Sequence, residues 1–466
     1  MIGKLGEQVT QLFRKYMPDA FVFAILLTLL VAFGALFWVG VSPLEIIVSW
    51  YDGFFDLLAF GMQIVLIIIT GFAIALSPAV NKGIDYLTRF IRTPRQVYFF
   101  VVMIGMLLSL VSFGWLVITA VLARELALRI KGINYAFLIA CVYFSMNSWV
   151  MGLSSSIPLL LNTDKNFLID AGILETVIPT SYTLGAWLNI TMILLLVLGA
   201  PIIMLLLLPK HQKPKELCEL LAESSDETTM SIQEEASLIE LPKKAVSDRL
   251  NNSVILQAMI VLMGVTYIVY HFMTKGLDLN FNIMIFFFLI LGLLLHKTPI
   301  RYVVAMKRAS SNISGVLFQY PFYAGIMGIM LYTGLGERLA QLLASVATID
   351  SYPFYAYLTG GMVNFAIPSA GGEFAVVGPG IIEAVKEIGA GLPEKQVTAM
   401  ISRASLSIAY GESLSNMLQP FYLLLVIPIM AKGVNIHPRD VMGYLLIPFL
   451  LFFVIQSLLV VFMPLA

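Results

Sequence analysis

Between Arg95 and Arg124 the chain reads QVYFFVVMIGMLLSLVSFGWLVITAVLA, residues Gln96 to Ala123: 28 positions without a charge, closed at both ends by basic side chains. A run of that length and character enters a bilayer. Cytoplasmic loops carry the excess of Lys and Arg. The loop holding Lys82, Arg89, Arg92 and Arg95 and the one holding Arg124, Arg129 and Lys131 therefore both belong inside, and the segment between them enters and leaves on one face. Two helical arms of about 13 residues reach ~20 Å, past the middle of a ~30 Å hydrocarbon core. The expected element is a re-entrant hairpin over about 96–123 with its tip near Ser109 to Gly114; the alternative is one long tilted helix. Irregular backbone at that depth is tolerated only where protein buries it or it lines a watery cavity, so the tip is a candidate site.

The rest of the chain has the same character. Of its 466 residues 59% are hydrophobic and 12% charged, against about 25% charged in ordinary globular proteins. A soluble enzyme, a disordered chain, a secreted disulfide scaffold and a nucleic-acid binder are excluded. Cys141 in an apolar run and Cys218 in a polar loop make neither a disulfide framework nor a metal site. Lys4, Arg14 and Lys15 precede Phe21–Val39, too long for a cleaved signal and read as an uncleaved first span with a cytoplasmic N-terminus. Charge-free runs of 32 residues after Lys131 and 34 after Glu175 continue the pattern, and a polar loop at 210–250 holds 15 of the 56 charges.

Beyond that loop the pattern returns with opposite polarity. A second hairpin is expected over about 352–382, flanked by Asp350, Glu383 and Glu387 and entering from outside; its tip reads Ile367-Pro368-Ser369-Ala370-Gly371-Gly372-Glu373. An offset of 256 pairs Ser42-Pro43 with Thr298-Pro299 and Gln63 with Gln319. The first copy of this segment carries Glu45, Asp52 and Asp56, the second Arg301, Lys307 and Arg308, as opposite faces require. The chain thus divides into a first inverted repeat (1–209, with a broken span about 133–161), the polar cytoplasmic loop 210–250, a linking span 251–273, and a second repeat (274–466, with a broken span about 394–430). The expected fold is an all-α polytopic membrane protein of about nine transmembrane helices, two re-entrant hairpins and two discontinuous helices, with its C-terminus outside.

Inverted repeats with broken helices mark secondary transporters, which bind substrate near the midplane at the repeat interface. Four irregular elements are candidates: the two hairpin tips, the stretch Asn147 to Pro158, and Tyr410 to Asn416, whose break is expected at Glu412. Half-helix N-termini offer N–H donors to an anion, and free carbonyls suit Na+. Candidate substrate-binding residues are Ser112, Gly114, Asn147, Ser154, Ser155, Ser369, Gly371, Gly372, Ser413 and Asn416; for each Ser or Asn singly, a helix-to-helix hydrogen bond is the competing role. Glu412 is the leading candidate for a coupling or gating carboxylate, and Glu373 either binds a cation or proton or faces the outer vestibule. Arg403 is half a helical turn out of phase with Glu412, so it contacts substrate, snorkels, or pairs with Glu373 or Glu394. Phe113, Trp115, Trp149 and Phe374 could line an acyl pocket or simply pack. His211, His271, His296 and His437 have no ligand spacing, and no metal site, catalytic constellation or cofactor-binding loop appears.

The motifs Asn364-Phe365-Ala366-Ile367-Pro368-Ser369-Ala370-Gly371-Gly372 with Gly378-Pro379, Ala409-Tyr410-Gly411-Glu412, Asn416-Met417 and Gln419-Pro420-Phe421 resemble the bacterial short-chain fatty acid transporter family. Leu58-Ala59-Phe60-Gly61-Met62-Gln63 and Leu294-Leu295-His296-Lys297-Thr298-Pro299 extend the resemblance over nearly the whole chain. It departs from the family's pattern at Ala370 and Glu373, where an unbroken glycine run and a His are usual, and at Ser145 to Gly152, Gly-rich in the family. The resemblance implies uptake of acetoacetate- or butyrate-like monocarboxylates, no enzymatic activity, H+ or Na+ coupling, a homodimer as in the wider ion transporter superfamily, and residence in the bacterial inner membrane. A Na+-coupled carrier of dicarboxylates or amino acids is the alternative, and an anion channel is disfavoured because the hairpins stop midway.

Overall fold

The computed structural model describes residues 20–465 apart from 57, 209–215, 222–231, 239–244, 277, 311–313, 366–368, 420–421, 432–433, 435 and 437. Lys4, Arg14 and Lys15, most of the 210–250 loop, the Ile367-Pro368 part of the second tip, the Pro420-Phe421 motif, His211 and His437 lie outside the described residues, as does the side chain of Gln319. Helices and turns make up the described chain, without a strand.

In the first half the main helices are α1 (Ala20–Gly34), α2 (Pro43–Asp56), α3 (Leu58–Ala75), α4 (Pro78–Leu87), α5 (Pro94–Val111), α6 (Leu116–Arg129), α7 (Tyr135–Phe144), α8 (Ser156–Leu161), α9 (Trp187–Leu194) and α10 (Ala200–Leu206). In the second they are α11 (Val254–Lys275), α12 (Phe281–His296), α13 (Pro299–Ser310), α14 (Ser314–Tyr332), α15 (Leu335–Val346), α16 (Tyr352–Val363), α17 (Ala370–Ile388), α18 (Glu394–Ser415), α19 (Leu423–Met430) and α20 (Leu446–Phe462). Polar residues set many of the starts. Thr93 and Gln96 form a capping box around Pro94 at α5, Asn134 caps α7 through Phe137 N, and Ser369 caps α17 through Gly372 N.

Helix starts recur along the chain. Pro43 and Pro299 begin α2 and α13, Leu58 and Ser314 begin α3 and α14, each pair 256 apart; α4 and α15 follow at 257, α5 and α16 at 258. Both halves also share a short 3-10 turn leading into a gap, at Ser145–Met151 and at Asn416–Leu418.

Among the described residues, five apolar stretches are long enough by length and composition to cross a membrane: Pro43–Ala75 (α2 and α3 together), Pro94–Val111, Tyr135–Leu161, Trp187–Leu206 and Val246–Lys275; shorter apolar helices include Phe281–His296 and Leu446–Phe462. α5 and α6 fold back on each other across Ser112. Gly105, seven residues before it, lies so close to Thr119, seven after, that a Cβ there would fall 2.8 Å from Thr119 Cγ2. At 18 residues α5 is ~27 Å long, more than the ~20 Å arm expected, because the Thr93 cap starts it early and the extended Ser112 backbone alone stops it.

One large apolar core runs through α5 to α8, α16 to α18 and α20. A second joins α1, α2 and α14 around Ile46, Tyr323 and Ile326. There α2 buries Ile46, Ser49 and Gly53 on one stripe, and Gly53 meets Gly328 of α14 backbone to backbone: a Cβ on Gly53 would sit 2.4 Å from Gly328 Cα. Small residues at a crossing let helices approach to this distance in a membrane, where packing rather than water exclusion holds them.

Candidate functional site

The first hairpin tip is fastened to the first broken helix largely through main chain. Leu153 N donates to Leu110 O (2.7 Å) and Phe113 N to Ser154 Oγ (2.8 Å), while Ser112 Oγ accepts from Gly114 N (3.2 Å). Gly152 has no room for a side chain; a Cβ would lie 1.9 Å from Leu110 O. Gly114 packs on the Gly71–Phe72 backbone of α3, where a Cβ would lie 2.7 Å from Phe72 N. The Phe113 ring meets Trp149 and Tyr422 edge-on, centroids 5.1 Å apart in both pairs, so parts of both chain halves surround this tip.

Around the second break a buried amide network replaces side-chain packing. Asn364, just after α16, donates through Nδ2 to Ser415 Oγ (2.7 Å), Glu412 O (3.0 Å) and Asn416 Oδ1 (3.0 Å). Gln419 Nε2 returns bonds to Asn364 O (3.1 Å) and Asn416 Oδ1 (2.8 Å), and Asn416 Nδ2 donates to Glu412 Oε1 (3.1 Å). Tyr143 of α7 donates its hydroxyl to the carbonyls of Asn416 and Gln419, 2.8 Å each, meeting acceptors that a helix end leaves without partners. Ser413 Oγ donates to Asn147 O (2.8 Å), tying α18 to the first break.

The sequence candidates thus fall into groups. Asn147 joins Ser413; Ser154 joins the Ser112–Gly114 tip; Asn416 joins Glu412. Ser155 Oγ donates to Gly152 O within its own turn (2.7 Å). Ser369 heads α17, and Gly371 and Gly372 are buried in its first turn. Ser154, Ser413 and Asn416 thus bond across elements, whereas Ser112, Ser155 and Ser369 bond within their own turns.

Two expectations are corrected. Glu412 does not stand at a break: α18 runs unbroken from Glu394 to Ser415, and the interruption begins at Asn416. Gly411 serves close packing instead, since a Cβ there would lie 2.0 Å from Tyr357 O. Arg403 pairs with neither Glu373 nor Glu394. Its guanidinium donates to Met463 O (2.7 Å) and Val461 O (3.4 Å), capping the end of α20 as Arg124 caps α19 at Met430 O (2.7 Å). Arg403→Met is accordingly expected to lower the melting temperature in detergent, at about 1.5–3 kcal/mol for a charged hydrogen bond, with substrate KM unchanged; a raised KM at normal stability would give Arg403 to the substrate instead.

Glu373, in the first turn of α17, and Glu412 are both fully buried. Among the described residues, neither oxygen of Glu373 has a hydrogen-bond partner, nor have Glu412 Oε2 and Asn364 Oδ1. Trp149 and Trp115 leave their indole Nε1 donors equally unmatched. His271 bonds Asp278 O and His296 bonds Ala73 O, and among the described residues no three His, Cys, Asp or Glu side chains are grouped as metal ligands. Both cysteines are free. Asn364, Gln419 and Tyr143 join this candidate site although the sequence singled out only the first two, and those as parts of the family motifs; for both, an amide inside an apolar run was the available signal.

The family described as short chain fatty acid transporter matches residues 1–463 of the chain. A protein of Escherichia coli (strain K12), provisionally named a short-chain fatty acid transporter, is 35% identical over 446 residues, 95% of this chain and 96% of that one. A Haemophilus influenzae protein of the same name is 34% identical over 449 residues, with the same coverage. Among solved structures, the Alcanivorax borkumensis YdaH transporter superposes with a TM-score of 0.57 at 14% identity, covering 95% of this chain and 97% of that one. MtrF of Neisseria gonorrhoeae, described within a class of antimetabolite efflux pumps, gives 0.52 at 14% identity over 98% and 97%.

Proposed function

This chain belongs to the short chain fatty acid transporter family, a multi-pass membrane transporter and not an enzyme, and from that premise we propose that it is a secondary active carrier of short-chain monocarboxylates across the bacterial inner membrane. The observation that carries the reading is the convergence of irregular backbone from both halves around Phe113, where Trp149 and Tyr422 close on the first hairpin tip. Such interruptions are where carriers bind substrate and coupling ion. In this scheme the N-terminus is cytoplasmic, the two halves are inverted repeats, and the α5–α6 and α16–α17 pairs are re-entrant hairpins within nine spans. The Ser369–Gly372 start of α17 offers N–H groups to the substrate carboxylate. Ser112, Gly114, Asn147, Ser154, Ser155, Ser413 and Asn416 shape the surroundings, and the carrier is coupled to H+ or Na+ and forms a homodimer.

A dicarboxylate carrier is the weaker alternative because a second carboxylate wants a further fixed cation, and Arg403 is committed to backbone carbonyls. The deciding measurement is uptake into proteoliposomes of butyrate, acetoacetate, succinate and an amino acid under separate proton and Na+ gradients. Butyrate and acetoacetate are expected to accumulate and to compete with each other. Accumulation of succinate or the amino acid alone would overturn the reading.

A further inference from the structure

Two fully buried carboxyl groups, Glu373 at the head of α17 and Glu412 near the end of α18, lie at the same end of two helices that follow one another across a short turn and pack together. Three of their four oxygens, together with Asn364 Oδ1, meet no donor among the described residues, and neither carboxyl is in an ion pair. A region of low dielectric cannot hold two such charges side by side without a counter-charge.

Most of the described charged and titratable side chains on the packed elements are engaged elsewhere or stand toward the other ends of their helices. On α18, Arg403 caps α20, Tyr410 donates to Asn189 Oδ1, and Glu394 and Lys395 stand at the far end of the helix. On α17 itself Lys386 Nζ donates to Ile173 O (2.6 Å), 13 residues or ~20 Å along the axis, with Glu383 and Glu387 beside it. Tyr143 of α7 is held by the carbonyls at the second break, Tyr357 of α16 donates to Gln456 Oε1, and α16 also bears Tyr352 and Tyr355 near its start. α14 contributes Tyr323 and Tyr332, and α15 the exposed Arg338.

We propose that Glu373 and Glu412 share one proton in the empty carrier and take up a second, and that a substrate carboxylate binds at the start of α17 only when this second proton is present. The inference rests on the carboxylate-carrier reading above. Its logic is charge compensation: the N–H groups at the head of a helix attract an anion, but an ionised Glu373 in the same first turn repels it. A proton drawn from the outer solution onto the pair removes that repulsion, so proton and anion enter together and leave together. Linkage then requires each to tighten the binding of the other. The departure at this position, a carboxylate where the family usually has His, makes the device a property of this chain's own residues.

The test is proton uptake on substrate addition to the purified, detergent-solubilised full chain in weakly buffered medium, with butyrate, acetoacetate and succinate as probes and with Na+ or choline as the only cation. About one proton taken up per butyrate bound, independent of Na+, is expected. In Glu373→Gln, butyrate is expected to bind with no proton uptake and an affinity that no longer changes with pH. Glu412→Gln keeps the oxygen that Asn416 bonds and serves as the second variant, with the same loss of uptake. Butyrate binding that needs Na+, or that brings no proton in the unmodified protein, overturns the pair's role. Proton uptake with succinate and not with butyrate leaves the pair standing and overturns the monocarboxylate reading. A protein folded by thermal melting that takes up no proton with any of the three overturns both.

Discussion

Gly152→Val is expected to reduce the initial rate of carboxylate uptake in proteoliposomes by about tenfold or more, since overpacking a filled core costs about 1–3 kcal/mol even where side chains can yield. Here none can: the new Cβ would sit 1.9 Å from Leu110 O and 2.5 Å from Leu110 C, both main chain. Relief requires the hairpin tip to withdraw, which also breaks the 2.7 Å bond from Leu153 N to Leu110 O. Gly83→Ala is the control. Nothing lies within 4 Å of a Cβ at Gly83, inside α4, so the replacement gains about 0.8–1 kcal/mol of helix propensity and leaves transport alone. Equal rates for the two variants would show that the close approach at Gly152 is not needed.

Asn364→Ala is expected to have the second large effect. Its amide serves Ser415 Oγ, Glu412 O and Asn416 Oδ1 at once, and stranding buried acceptors costs about 1–3 kcal/mol apiece. A lowered melting temperature and loss of uptake should appear together, because the same bonds hold the interruption after Ser415 and the residue that follows α16. Asn364→Asp keeps the shape but replaces the donor by an acceptor beside three acceptors, and should be at least as damaging. Normal melting and normal uptake in both variants would remove the network from the site.

The turn at Ser112 and the recurrence of helix starts were legible because they follow from charge position and backbone chemistry. The bracket of Arg95 and Arg124 located a turn that the structure puts at Ser112, and the offset of 256 found between Pro43 and Pro299 reappears as the spacing of helix starts. The second break was misplaced because Gly411 looked like a helix breaker. A glycine weakens a helix by about 1 kcal/mol, and close contact with α16 outweighs that. Partners were less legible than places. Nothing local in the sequence says that Arg403 reaches carbonyls 58 and 60 residues on, or that Tyr143 reaches Asn416 across 273 positions. Such pairings depend on how helices cross, which periodicity does not encode.

The way the first tip is fastened has a consequence for divergence. Leu110 and Leu153 meet through a carbonyl and an amide, and the space between them is kept by the absence of a side chain at Gly152. Every amino acid brings that carbonyl, and every one but proline brings that amide. Replacement of either leucine by another apolar residue therefore leaves the joint intact, and only the glycine is irreplaceable.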